Sequence, residues 1–212
     1  PGESGMIEEL KAGYQKTEDI QTRILILDLL GRSGNTSGLA LLQDALETGE
    51  VEERRAAVKA LSQWPKADPL EKLKETAGTD DDKVTRVLAL RGYIDLIGRL
   101  ASSERLKHYR TAMEMAESDA EKRKILSGVA ALNSPGAVEF AEEYTGDKTL
   151  RQEAAMALLQ LAENGAAGGL NAVEQLLEKV EAMNPGQSAE SRIEAIRGKM
   201  SELAGYLLDW RV

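Results

Sequence analysis

Apolar residues along this chain recur at the spacing of one helix face, and the clearest signal is that the spacing itself repeats. Five segments share one pattern: an acid, three residues, a base, then small or apolar residues three, six and seven positions beyond the base. The acid–base pairs are Asp19/Arg23, Glu50/Arg54, Asp82/Arg86, Asp119/Arg123 and Asp147/Arg151. The residues that follow are Ile26, Leu29, Leu30; Ala57, Ala60, Leu61; Ala89, Gly92, Tyr93; Leu126, Val129, Ala130; and Ala154, Ala157, Leu158. Successive bases stand 31, 32, 37 and 28 residues apart, a mean of 32. One acid–base pair at (i, i+4) is commonplace on a helix. Five in register with the same apolar spacing make a repeat.

A period near 32 with two helix-length patterns per unit predicts stacked helical hairpins. The fold class is all-α: an α-α superhelix, or α-solenoid, of about six antiparallel hairpins. Turn chemistry falls between the periodic segments, at Gly34-Asn35, Pro65, Gly78-Thr79, Ser102-Ser103, Ser134-Pro135, Gly146 and Gly165–Gly169. Second helices (B) are predicted to begin near residues 19, 50, 82, 119 and 147. First helices (A) are predicted near 6–15, 36–47, 67–77, 102–117 and 135–144. Past Gly169 the pattern lapses, but 170–183 and 188–208 keep helical spacing, as in Leu170, Val173, Leu176, Leu177 and Val180. The organisation read from this is a terminal segment 1–5, repeats over 6–169, and a divergent capping hairpin at 170–212. The stack is expected to be curved and continuous from about residue 6 to 208, because no internal linker is rich in Pro, Ser or Gly. Pro1–Gly5, which lacks an initiator Met, reads as a cut end. The apolar finish at Leu207–Val212 reads as a chain that continues into a further domain.

The motif is explained by folding. An Asp at the head of each B helix serves as an N-cap and places negative charge at the positive end of the helix dipole. The Arg one turn on reaches that carboxylate or, in a stack, the acid of a neighbouring repeat. Asp19, Arg23, Glu50, Arg54, Asp82, Arg86, Asp119, Arg123, Asp147 and Arg151 are therefore read as a structural ladder that sets register. Ala57, Ala60, Ala89, Gly92, Ala154 and Ala157 are small so that neighbouring hairpins approach closely.

The strings DDKVTRVLALRGY, EVEERRAAVKAL and DKTLRQEAAMALL resemble the bacterial form of HEAT-like (armadillo-type) repeats, well over residues 19–163 and weakly elsewhere. In that form an Asp opens the B helix, an Arg follows one turn later, and Ala and Leu pack inward. The Trp-Leu-Gly-Tyr signature of tetratricopeptide repeats and the Thr-Pro-Leu-His of ankyrin are absent at period. Strings such as RVLALRGY and LDWRV also look like the helical repeat regions of multidomain proteins from environmental bacteria, beside glycan-active or haem-binding domains. That resemblance implies a periplasmic or extracellular setting and a module of a larger chain.

Composition narrows the chemistry. Of 212 residues, 28 are Ala and 29 Leu, both strong helix formers, while eight are aromatic and eighteen are Val or Ile, too few for a sheet-rich fold. With no Cys, neither a disulfide scaffold nor a thiolate metal site exists. No stretch of about 18 residues is free of charge, so no membrane span is predicted. The net charge of −9 argues against a polyanion partner, although Arg54, Arg55 and Lys59, Arg86 and Arg91, and Lys122–Lys124 fall on B helices.

Candidate catalytic features each have a plainer reading. His108 stands alone, reads as a surface residue beside Glu104, and cannot assemble the several His-Glu pairs by which HEAT-like hydroxylases hold two irons. Asp80–Asp82 lack the alternating spacing of a calcium loop and read as a solvated helix start. Gly146–Thr149 lack the glycines of a phosphate loop, and Gly165–Gly169 lack the strand of a dinucleotide site. No Gly-x-Ser-x-Gly elbow occurs. Asn35-Thr36-Ser37 fits a glycosylation sequon but reads as a loop. The reading is thus of a non-enzyme with no catalytic residue, no metal and no cofactor. Its expected role is a protein-interaction or spacer module, with a protein or adjoining domain as partner. The partner-facing surface, on the concave side lined by B helices, is expected at Asp28, Arg32, Lys59, Gln63, Arg91, Asp95, Lys124 and Gln160. Two other roles fit the sequence: an accessory domain that positions a glycan-active enzyme, and a weak nucleic-acid binder.

Overall fold

A computed structural model describes residues 3–209, with the side chains of residues 5–203. Both segments read as chain ends, Pro1–Gly5 and Leu207–Val212, lie at or beyond those limits. The described residues form twelve helices: α1 (Glu3–Lys16), α2 (Ile20–Ser33), α3 (Thr36–Thr48), α4 (Val51–Ser62), α5 (Leu70–Thr79), α6 (Lys83–Ile97), α7 (Ser102–Met115), α8 (Asp119–Ala130), α9 (Pro135–Glu142), α10 (Arg151–Glu163), α11 (Leu170–Ala182) and α12 (Gln187–Asp209). Odd-numbered helices are the A members of successive hairpins and even-numbered helices the B members. The fold is an all-α helical repeat. No helix is long and apolar enough to cross a membrane among the described residues.

The chain divides into two compact units, Pro1–Ala116 and Glu117–Val212. The sequence places no boundary at Ala116. It sets the divergent hairpin apart from residue 170, whereas in the structure α11 and α12 both pack on α10 inside the second unit.

In the first unit α4 is the centre, packed against α2 on one side and α6 on the other. The register is set by backbone contact. A Cβ on Gly31 of α2 would stand 2.6 Å from Ala60 Cβ, and a Cβ on Gly92 of α6 would stand 1.9 Å from Ser62 Oγ. Ala60 and Gly92 are each six residues past the motif base, and Gly31 and Ser62 eight past theirs. The sixth-position residue therefore meets the B helix before it, and the eighth-position residue the one after. This corrects one expectation. Leu29 holds the sixth position in α2, which has no preceding B helix among the described residues, and it is 42% exposed rather than core. Ile26, Leu30, Ala57, Leu61, Ala89 and Tyr93 are buried as the spacing predicts. Each fully buried Leu or Ile contributes about 1.5–3 kcal/mol relative to exposure.

Helix starts follow local chemistry. Asp19 caps α2 by accepting from Thr22 N at 2.8 Å, and Asp82 caps α6 by accepting from Thr85 N at 2.8 Å. The other heads differ from the simple Asp rule. Ser118, not Asp119, caps α8 in a capping box with Glu121. Asp147 caps a turn, accepting from Thr149 N and Leu150 N, so that α10 proper begins at Arg151.

In the second unit α8, α10 and α12 are the B helices. Ile125, Leu126, Val129, Ala154, Ala157 and Leu158 are buried there. On α11, Val173, Leu176, Leu177 and Val180 form one buried stripe, opposed by Ala189, Ile193 and Ile196 of α12. Arg197 ties these two helices, at 2.8 Å to Glu174 and 2.6 Å to Glu181.

Candidate protein-interaction surface

The ladder arginines run forward, from one repeat to the next. Arg23 donates to Glu53 Oε1 at 3.3 Å, Arg54 approaches Asp80 at 3.2 Å, and Arg123 meets Glu153 at 3.6 Å. Arg55, next to the motif base, grips Asp82 with two bonds of 2.9 Å. That grip and the Thr85 cap hold the Asp82 carboxyl well below the usual carboxylate range. Arg86 donates instead to the carbonyls of Asp80 and Asp81, while Arg151 is exposed on the first turn of α10.

Glu53 is the most enclosed member, 2% exposed. It accepts from the Tyr14 hydroxyl at 2.9 Å, from Arg23, and from Glu50 N at 3.1 Å. Arg23 also lies over the Tyr14 ring at 5.3 Å. Burial first, then the neighbouring carboxylate, push the Tyr14 phenol up to about 12. The sequence reading missed Glu53, yet a signal exists. The third helical position of α2, α4, α6, α8 and α10 carries Thr22, Glu53, Thr85, Glu121 and Glu153, polar in all five and nearly at the same period.

Among the exposed residues of the B helices in the first unit, large apolar side chains stand beside the polar ones. Leu25 is 57% exposed, and Val84 on α6 is 48% exposed. Between α2 and α4 runs a groove of about 540 Å³, walled by Ile24, Leu25 and Gln21, floored by Ala56, and edged by Glu52, Asp28 and Lys59. Asp28 is paired with Arg32 at 2.9 Å. Of the residues expected to face a partner, Asp28 and Lys59 line this groove; Arg32, Gln63, Arg91 and Asp95 are exposed. Leu25 and Val84 were missed because they occupy motif positions that read as neither core nor polar surface.

The second unit carries its own groove, about 720 Å³, along α8, α10 and the start of α12. It is polar. Arg192 pairs with Glu163 at 2.7 Å and donates to Gln160 Oε1 at 3.1 Å. Gln160 in turn donates to Asn164, whose amide reaches the Ala130 carbonyl at 3.3 Å. Of the two residues expected to face a partner here, Gln160 is engaged in bridging repeats and Lys124 is exposed on α8.

His108 departs from its surface reading. It is half-buried on α7, with Nδ1 2.8 Å from the hydroxyl of the fully buried Tyr93 on α6. The rings meet edge to face at 5.9 Å. Desolvation lowers the imidazole pKa, and burial raises that of the Tyr93 phenol. The remaining features are local structure. Asp80 and Asp82 are held by Arg54 and Arg55, Asn35 caps α3 by accepting from Ser37 N, and Gly165 and Gly168 make a left-handed turn. Among the described residues no group of three or more His, Asp or Glu is arranged to hold a metal ion.

HEAT repeats act in general as protein-interaction scaffolds. No curated protein matches the chain. The family model of HEAT repeats matches residues 7–93, the stretch that spans α1 to the middle of α6 and holds the Gly31–Ala60 and Gly92–Ser62 contacts. Residues 7–93 are thus similar to HEAT repeats, in a chain whose described residues form an all-α helical repeat.

Proposed function

We propose that this protein is a non-enzymatic interaction module whose partner is another protein, held on the B-helix face of the first unit. The observation that carries the reading is the groove between α2 and α4, where Leu25 stands 57% exposed beside Ile24 and Ala56. Leu25, Ile24 and Ala56 together make a contiguous apolar strip inside a groove, and it is contiguous exposed apolar surface, not a lone side chain, that marks an interaction site. The charges around it favour a protein over a nucleic acid. Arg55 is bound to Asp82 and Arg32 to Asp28, so the face offers no dense basic stripe for counterion release.

Site-specific photocrosslinking in the cell of origin tests this. A crosslinking residue at position 25 or 59 is expected to yield the same discrete protein adduct. One at Glu75 or Lys11, on A helices, is expected to yield none of it. Equal adducts from both sets, or none from position 25, would overturn the reading.

A further inference from the structure

Resting on that reading, we infer that the occupant of the α2–α4 groove is an amphipathic helix lying antiparallel to α2 and α4, with carboxylates at its N-terminal end and a basic residue at its C-terminal end.

The first argument is hydrogen bonding. Both walls are α-helices whose mid-helix amides and carbonyls are already spent on their own i→i−4 bonds. Within the lining, the strip made by Ile24, Leu25 and Ala56 offers no donor or acceptor, while Gln21 and the charged side chains stand along its margins. An extended segment pressed over that strip would leave the main-chain N–H and C=O groups that face it unpaired, at about 1–3 kcal/mol each. A helix satisfies its backbone internally and buries only side chains. The second argument is shape. The groove follows two helices that run in the same direction, since Arg23 meets Glu53 near their starts and Gly31 meets Ala60 near their ends. Its lining from Gln21 to Asp28 covers two helical turns, roughly 10 Å at 1.5 Å per residue. The Ala56 floor lets a third helix axis approach closely, and such a helix would present anchors at i, i+3 or i+4, and i+7.

The third argument is charge, and it sets the direction. Glu52 edges the groove at the N-terminal end of α4, and Lys59 edges it seven residues later. The charges between them, Arg55 and Asp28, are bound to Asp82 and Arg32. A helix antiparallel to α4 sets its N-terminus by Lys59 and its C-terminus by Glu52. Carboxylates near its own N-terminus and a base near its C-terminus then suit its dipole and the groove together.

The test uses the full chain and a displayed library of peptides on a helical framework, counter-selected on the Leu25→Asp chain. Enriched peptides are expected to carry large apolar residues at i, i+3 or i+4, and i+7, with Asp or Glu in the first turn. They are expected to gain helical circular dichroism on binding. Their affinity should fall at least tenfold on Leu25→Asp. On Lys59→Glu it should fall several-fold, and recover when the first-turn acids of the peptide are changed to Lys. Peptides that depend on Leu25 but bind without helical structure, or without compensation at Lys59, would overturn the helical occupant and leave the interaction face standing. Enrichment indifferent to Leu25, or no enrichment over an unrelated helical protein, would overturn both. Circular dichroism and melting of each variant keep loss of binding distinct from loss of fold.

Discussion

Gly92 illustrates how a single residue type is forced by its neighbours. A glycine inside a helix costs about 1 kcal/mol relative to Ala, and here it is retained because Ser62 and Leu73 occupy the space of a side chain. Gly92→Leu is expected to destabilise the first unit by at least the 1–3 kcal/mol typical of overpacking. Lys59→Ala, on the exposed face, should stay within about 0.5 kcal/mol. Urea unfolding of the two variants checks the difference, and a neutral Gly92→Leu would mean that α6 presents another face to α4. His108 supplies a pH dependence. Its ordinary value is 6.5, lowered in the folded chain by desolvation, so the unfolded chain takes up more protons as the solution is acidified. The stability tied to the neutral imidazole is full above about pH 6.5 and is lost as pH falls through the lower folded value. Melting curves of the wild type and His108→Gln between pH 7.5 and 5 are expected to converge toward the acid end. Parallel curves would contradict this account of the Tyr93–His108 contact.

At the level of elements, the helices and their hairpin pairing were legible because turn residues separate segments of one repeated spacing. The direction of the ladder was not. An (i, i+4) acid and base can pair with each other or reach to the next repeat, and sequence spacing is the same in either case. Only the packing of α2 on α4 shows that Arg23 turns to Glu53. The Gly31 contact was hidden for a related reason: the eighth position receives the following helix, and the pattern ended at the seventh. His108 looked solvated because its partner, Tyr93, lies on a different helix. The ladder makes a specific claim about Glu53. Glu53→Ala removes the acceptor of Tyr14, Arg23 and Glu50 N at once, and a loss of roughly 1–3 kcal/mol is expected from donors left without partners. Glu53→Gln keeps one acceptor and should recover part of it. If thermal unfolding shows both variants equal to the wild type, the Glu53 cluster does not hold α1, α2 and α4 together.

On the scale of the whole chain, the two compact units each bury their own apolar residues, from Ile7 to Ala116 in one and from Ile125 to Ile196 in the other. A chain of residues 1–116 is therefore expected to unfold cooperatively by itself, and a non-cooperative melt would contradict the division. The candidate surface was only half visible beforehand. Polar positions such as Lys59 and Asp28 fall on the B face by their spacing, but Leu25 stands two residues past the motif base, at a position the repeat pattern assigns to neither core nor polar surface. That residue now carries the functional account. The most direct test is the affinity of the Leu25→Asp chain for the protein captured by crosslinking at position 59, measured alongside its melting temperature. The account predicts at least a tenfold weaker Kd with melting shifted by no more than a few degrees, because Leu25 is more than half exposed. An unchanged Kd at an unchanged melting temperature would contradict it.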